Sequence, residues 1–100
     1  MRLMDMARVV RSKNAGPLHL TFDIMLETEA DYERCLAAPG LRAEPIAKIY
    51  SVSANAVAIT PYPTARAIKI TLPRHEAAGA PGDRDVYGAQ QHAPLLEIEV

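Results

Sequence analysis

Leu18-His19-Leu20-Thr21-Phe22-Asp23-Ile24-Met25-Leu26 is the stretch whose period decides the fold. Leu18, Leu20, Phe22, Ile24 and Leu26 alternate with His19, Thr21, Asp23 and Met25, a period of two. One face is wholly apolar and the other mostly polar. That is the pattern of a half-buried strand in a sheet covered on one side.

Working outward, the segment after this strand is helical. Thr28 with Asp31 three residues on resembles a capping box, with Asp in place of the preferred Glu. Tyr32, Cys35 and Leu36 recur at helical spacing, and Pro39-Gly40 ends the run. A second helical segment has Pro45 near its first turn and Ile46, Ile49 and Tyr50 on one face. Ala56 to Thr60 reads as a short strand, and Pro61-Tyr62-Pro63 forces a corner. Ala65 to Leu72 returns as a strand, with Ile68, Ile70 and Leu72 alternating against Lys69 and Thr71. Arg74 to Asp85 has no period and reads as a long loop. Val86 to His92 forms a short helix in this reading, ended by Pro94. Leu96, Ile98 and Val100 alternate with Glu97 and Glu99 as a last strand.

On the other side of the opening strand, Leu3, Met6, Ala7 and Val10 fall at helical spacing and suggest a turn or two of helix. An extended reading of Ala7 to Val10 stays open. Arg11 to Pro17 reads as a loop closed by Gly-Pro. The order is β-α-β-β-α-β behind a short lead, the α+β class. The expected architecture is a ferredoxin-like plait, an antiparallel sheet with helices on one face.

Composition narrows the function. One hundred residues make one domain, residues 1–100, and 49% apolar content excludes disorder. The net charge of -1 and the lack of a basic stripe argue against nucleic acid. No apolar run approaches the roughly 20 residues that span a bilayer. Asp5 and Arg8 interrupt what a signal peptide would need as an apolar region. Cys35, the one cysteine, cannot form an internal disulfide, so a cytoplasmic location is expected.

Polar chemistry concentrates in two places. In the first, Arg11, Ser12, Lys13 and Asn14 precede Gly16, where consecutive backbone N–H groups would form an anion-binding nest. A solvated turn built on Asn14 and Gly16 is the alternative. The second is Gly79 to His92, which holds Asp83, Asp85, Tyr87, Gln90, Gln91 and His92. His92 is a candidate acid or base oriented by Asp83 or Asp85, with Tyr87, Gln90 and Gln91 as ligand-binding groups. Capping of a helix end by Gln90, Gln91 and His92 is the structural alternative. The two aspartates fit Asx turns better than metal ligation, so no metal is assigned and no cofactor is implied. Arg74 opens the long loop and would reach an anion or a loop aspartate. Cys35 reads as a buried structural thiol, and His19 as sheet surface or a subunit contact.

Four segments carry a family resemblance. They are Leu3 to Pro17, with Asp5, Ala7 and Val10-Arg11-Ser12-Lys13-Asn14-Ala15-Gly16-Pro17; Thr21 to Met25; Ala67 to Arg74; and Gly82 to Glu99. Together they resemble a family of small bacterial proteins of unknown function. That family is similar to the C-terminal ferredoxin-like domain of the acyclic terpene utilisation protein A (AtuA) family. The resemblance covers nearly the whole chain. In the two-domain relatives the first loop reads Arg-Ser-Gly-Asp-Lys-Gly; Arg11 and Ser12 match it, and Lys13-Asn14-Ala15 depart. The resemblance implies a ferredoxin-like fold and association with a larger AtuA-like subunit that degrades acyclic or branched acyl substrates.

The expected function is therefore a small accessory subunit. It would contribute part of a site for an acyl-coenzyme A thioester or a carboxylic acid. The alternative is a stand-alone homo-oligomer, binding or transforming a small molecule through Gly82 to His92. A third reading is a scaffold without a ligand.

Overall fold

The computed structural model describes residues 1–74 and 92–100. Strand β2 (His19–Leu26) occupies the position its alternation calls for. Leu20, Phe22, Ile24 and Leu26 are buried on one face of the sheet. Strand β4 (Ala67–Pro73) pairs with β2 antiparallel, setting Leu72 opposite Leu20, Ile70 opposite Phe22 and Ile68 opposite Ile24. Strand β3 (Ala58–Tyr62) lies outside β4, also antiparallel, so Pro61 sits on an edge strand, where its missing N–H is tolerated. The corner expected over Pro61-Tyr62-Pro63 begins at its last residue, in a 3-10 turn over Pro63–Ala65 that ends on Arg66 at φ 49.

The N-terminal lead departs from the helical reading. Helix α1 covers only Leu3–Met6, and Ala7–Asn14 is strand β1, antiparallel to β2. Val9 and Val10 favour the extended chain, and strand pairing outweighs a helical spacing four residues long. A register shift between Ala7 and Val9 absorbs the change from helix to strand. A four-residue connection joins β1 to β2, with Gly16 at φ 81 and the Ala15 N–H donating to the His19 carbonyl at 3.0 Å.

The sheet order is β1-β2-β4-β3, all antiparallel. The class is α+β, as expected, but this is not the order that a plait closed by Leu96–Val100 would have. The tail forms a 3-10 helix, Ala93–Glu97, and then one isolated bridge between Glu99 and Arg2. Pro94 starts that helix, and Leu95 is the side chain that enters the core. The alternation of Leu96, Ile98 and Val100 marks half-buried side chains, Ile98 and Val100 packing against the core, but not a strand of the sheet. The tail holds the N-terminus instead: the Leu3 N–H donates to the Ile98 carbonyl and the Val100 N–H to Met1, both at 2.8 Å. Gly40 packs against it so closely that a Cβ there would stand 2.6 Å from Ile98 Cγ2.

Helix α2 (Glu29–Ala37) begins as its sequence indicates, with Thr28 Oγ1 accepting from the Asp31 N–H at 3.1 Å. Helix α3 (Ala43–Tyr50) carries Pro45 in its first turn and ends on Ser51 at φ 56. Tyr32 and Cys35 of α2, Ile46 and Ala47 of α3, Leu3 and Met6 of α1, and Leu95 join the β2 and β4 side chains in one core. The opposite face of the sheet carries Arg11, Lys13, His19, Asp23, Lys69 and Thr71 by the same alternation.

Candidate functional site

Because Arg11, Ser12, Lys13 and Asn14 belong to β1, they do not form a nest; successive N–H groups of a strand point in opposite directions. Period two also divides the four side chains. Ser12 lies opposite Phe22 and Asn14 opposite Leu20, on the helix-covered face. Arg11 lies opposite Asp23 and Lys13 opposite Thr21, on the other face.

On the covered face, Ser12 and Asn14 meet two further groups at the end of the sheet. The Arg74 N–H donates to the Leu18 carbonyl at 2.8 Å, which fixes the chain just beyond β4. Its guanidinium then donates through Nη1 to Asn14 Oδ1. Tyr50, the last residue of α3, tilts its ring against Phe22 with centroids 5.1 Å apart. Phe22 is the cross-strand neighbour of Ser12. Burial pushes the Tyr50 phenol well above the usual range, so it stays protonated and can donate. Asn14 and Arg74 thus share one contact at the end of the sheet, with the buried Ser12 two residues along the same face of β1 and Tyr50 packed on Phe22. These are groups that bind and orient a carboxylate or phosphate. Ser12, Asn14 and Arg74 are expected site residues, and the fold brings Asn14 and Arg74 together across sixty residues of chain. Tyr50 reads from the sequence only as core. Its signal there is a phenol at the end of an apolar helical face, where one edge can reach polar groups.

On the open face, Arg11 Nε stands 3.4 Å from Asp23 Oδ2, and the Asp23 side chain is only 12% exposed. Lys69, across from Asp23, lies 5.6 Å from the centre of the Tyr62 ring. Arg11 therefore pairs within the sheet surface, and Lys13 is exposed beside it. His19 is exposed at the start of β2, matching its reading as sheet surface.

His92 precedes the 3-10 helix, and its backbone carbonyl accepts from the Leu95 N–H at 2.9 Å. Its Nδ1 is buried without a hydrogen-bond partner among the described residues. Asp83, Asp85, Tyr87, Gln90 and Gln91 lie outside the described residues, as does the expected helix over Val86 to His92. Among the described residues no group of three or more His, Cys, Asp or Glu side chains could hold a metal ion. None of the described helices is long and apolar enough to cross a membrane.

Cys35 is fully buried and stands 3.6 Å from Met6 Sδ. Burial pushes its thiol up, Asp31 adds to this, and Arg34 opposes it. That is an inert thiol rather than a nucleophile.

These features define a small α+β domain with a polar corner at one end of an antiparallel sheet. The chain belongs to the family described as domain of unknown function (DUF4387), whose profile matches residues 3–99. No curated protein and no solved structure matches it significantly.

Proposed function

We propose that this domain is an accessory subunit of a catabolic enzyme system resembling the acyclic terpene utilisation protein A family. It contributes part of a site for an acyl-coenzyme A thioester or carboxylic acid. The observation that carries the reading is the Asn14–Arg74 contact beside Ser12. It fixes the place of a guanidinium at the sheet end, and a guanidinium is the side chain that pairs best with a carboxylate or phosphate oxygen. An amide and a guanidinium are groups that bind and orient an anion. A larger chain would supply the reacting groups. The sequence resemblance supports the identity of that chain.

Co-expression with the neighbouring genes tests it. A tagged copy of this protein should bring down a larger chain, and the pair should turn over an acyl-coenzyme A or carboxylic acid. Arg74→Ala should lower turnover of the pair by roughly tenfold or more, the scale of one charge-assisted hydrogen bond. Recovery of the protein alone, with no larger chain, rejects the accessory role.

The buried, unpartnered Nδ1 of His92 favours a second reading, a stand-alone site. On that reading His92→Ala abolishes turnover by the purified protein, and unchanged turnover removes it.

A further inference from the structure

A separate cavity of about 250 Å3 opens between α2, the start of α3 and the outer half of the sheet. Its walls are aliphatic: Leu36, Leu41, Ile59 and Ile68, with the fully buried Cys35 between them. Arg42 lines the same cavity and is exposed. Arg42 and Ala43 also line an adjoining surface depression of about 510 Å3, with Glu44 on its far side.

The charge at this mouth is unusual within the molecule. Arg2, Arg8, Arg11 and Arg66 each reach a carboxylate. Arg34 donates to the Val100 carbonyl and Arg74 to Asn14. Arg42 alone among the described arginines has no side-chain partner. The residue is also the N-cap of α3, which has no side-chain cap, so the positive end of that helix faces the same place. An uncommitted guanidinium and an uncapped helix start therefore stand over an aliphatic cavity.

We infer that this cavity binds a small aliphatic monocarboxylate. The hydrocarbon chain lies against Leu36 and Ile59, over the buried Leu41 and Ile68, and the carboxylate pairs with Arg42 at the mouth. Apolar contact supplies affinity and the guanidinium supplies direction, the usual division in small-molecule sites. All of these groups belong to this chain. The inference therefore stands apart from the proposed partner and from the Ser12–Arg74 corner, and failure of either leaves the other intact.

Titration of the purified protein with sodium hexanoate, 1-hexanol and sodium acetate tests it by calorimetry. Hexanoate should bind, acetate should not, and hexanol should bind more weakly than hexanoate. Arg42→Gln should weaken hexanoate binding by roughly tenfold and leave hexanol unchanged, since it removes only the charged contact. Glu44→Gln should strengthen hexanoate binding, because it removes a like charge near the mouth. Equal affinity for hexanol and hexanoate, or no heat of binding with hexanoate, overturns the assignment.

Discussion

The two faces of the sheet are built from the same strands and do different work. On the covered face β2 places Leu20, Phe22, Ile24 and Leu26 against three helices. On the open face the same strand places His19, Thr21 and Asp23 among Arg11, Lys13, Lys69 and Thr71. Stability depends on the first and charge on the second. Strand β1 carries the consequence for function, because its alternation sends Ser12 and Asn14 to one face and Arg11 and Lys13 to the other. Four residues that look like one binding loop belong to two surfaces.

The largest test of this contrast compares Phe22→Ala with Lys13→Ala. Phe22 is fully buried and packs on Tyr50, so its truncation should cost about 3–5 kcal/mol. Lys13 is exposed, and its truncation should stay within about 0.5 kcal/mol. Urea unfolding of the two variants measures both. A comparable loss at Lys13 would mean the open face carries stability that its exposure does not indicate.

What is legible in the sequence tracks the strength of each local signal. The α2 start, with Thr28 and Asp31 at cap spacing, forms as read, and the strand forms over His19–Leu26 with four of its five alternating apolar residues buried, Leu18 lying exposed before it and Thr21 and Asp23 buried on the polar face. The N-terminal lead has apolar residues that fit helix and strand alike, and pairing with β2 decides for strand over Ala7–Asn14. The tail misleads only in kind: Leu96, Ile98 and Val100 alternate in burial with Glu97 and Glu99, but Ala93–Glu97 is a 3-10 helix that turns Leu95 into the core. The site is half legible. Residue type marks Ser12, Asn14 and Arg74, but only the fold can show that Arg74 reaches Asn14. Arg42 carries no local signal, since an unpaired guanidinium is defined by what surrounds it.

Alkaline titration sharpens the contrast at intermediate size. The covered face holds Tyr50 and Cys35 with their proton affinities raised by burial, above ordinary values of 10.0 and 9.0. As pH rises past those values the unfolded chain loses these protons first. The unfolded state then binds fewer protons than the folded one, so stability falls with pH. The loss should reach up to about 1.4 kcal/mol per pH unit for each group until its folded form ionises. Unfolding free energies above pH 9 should therefore decline, and Tyr50→Phe with Cys35→Ala should flatten the decline. A slope that survives both substitutions would point next to Tyr32, a core phenol whose proton affinity is also raised, first by burial.

The smallest expected effect concerns the acid at the centre of the open face. Asp23 lies opposite both Arg11 and Lys69, but its one close ion pair among the described residues, with Arg11, is at 3.4 Å and the arginine is 58% exposed. Water screens that partner, so the pair should be worth about 1 kcal/mol at most. Asp23→Asn keeps the shape and removes the charge. It should lower stability by no more than that, and the difference from the parent should shrink as salt is raised. A larger loss, insensitive to salt, would mean that the burial of Asp23, whose side chain is 12% exposed, outweighs the screening of Arg11. The open face, exposed at its rim and closed over Thr21 and Asp23, would then carry stability at the centre of the sheet.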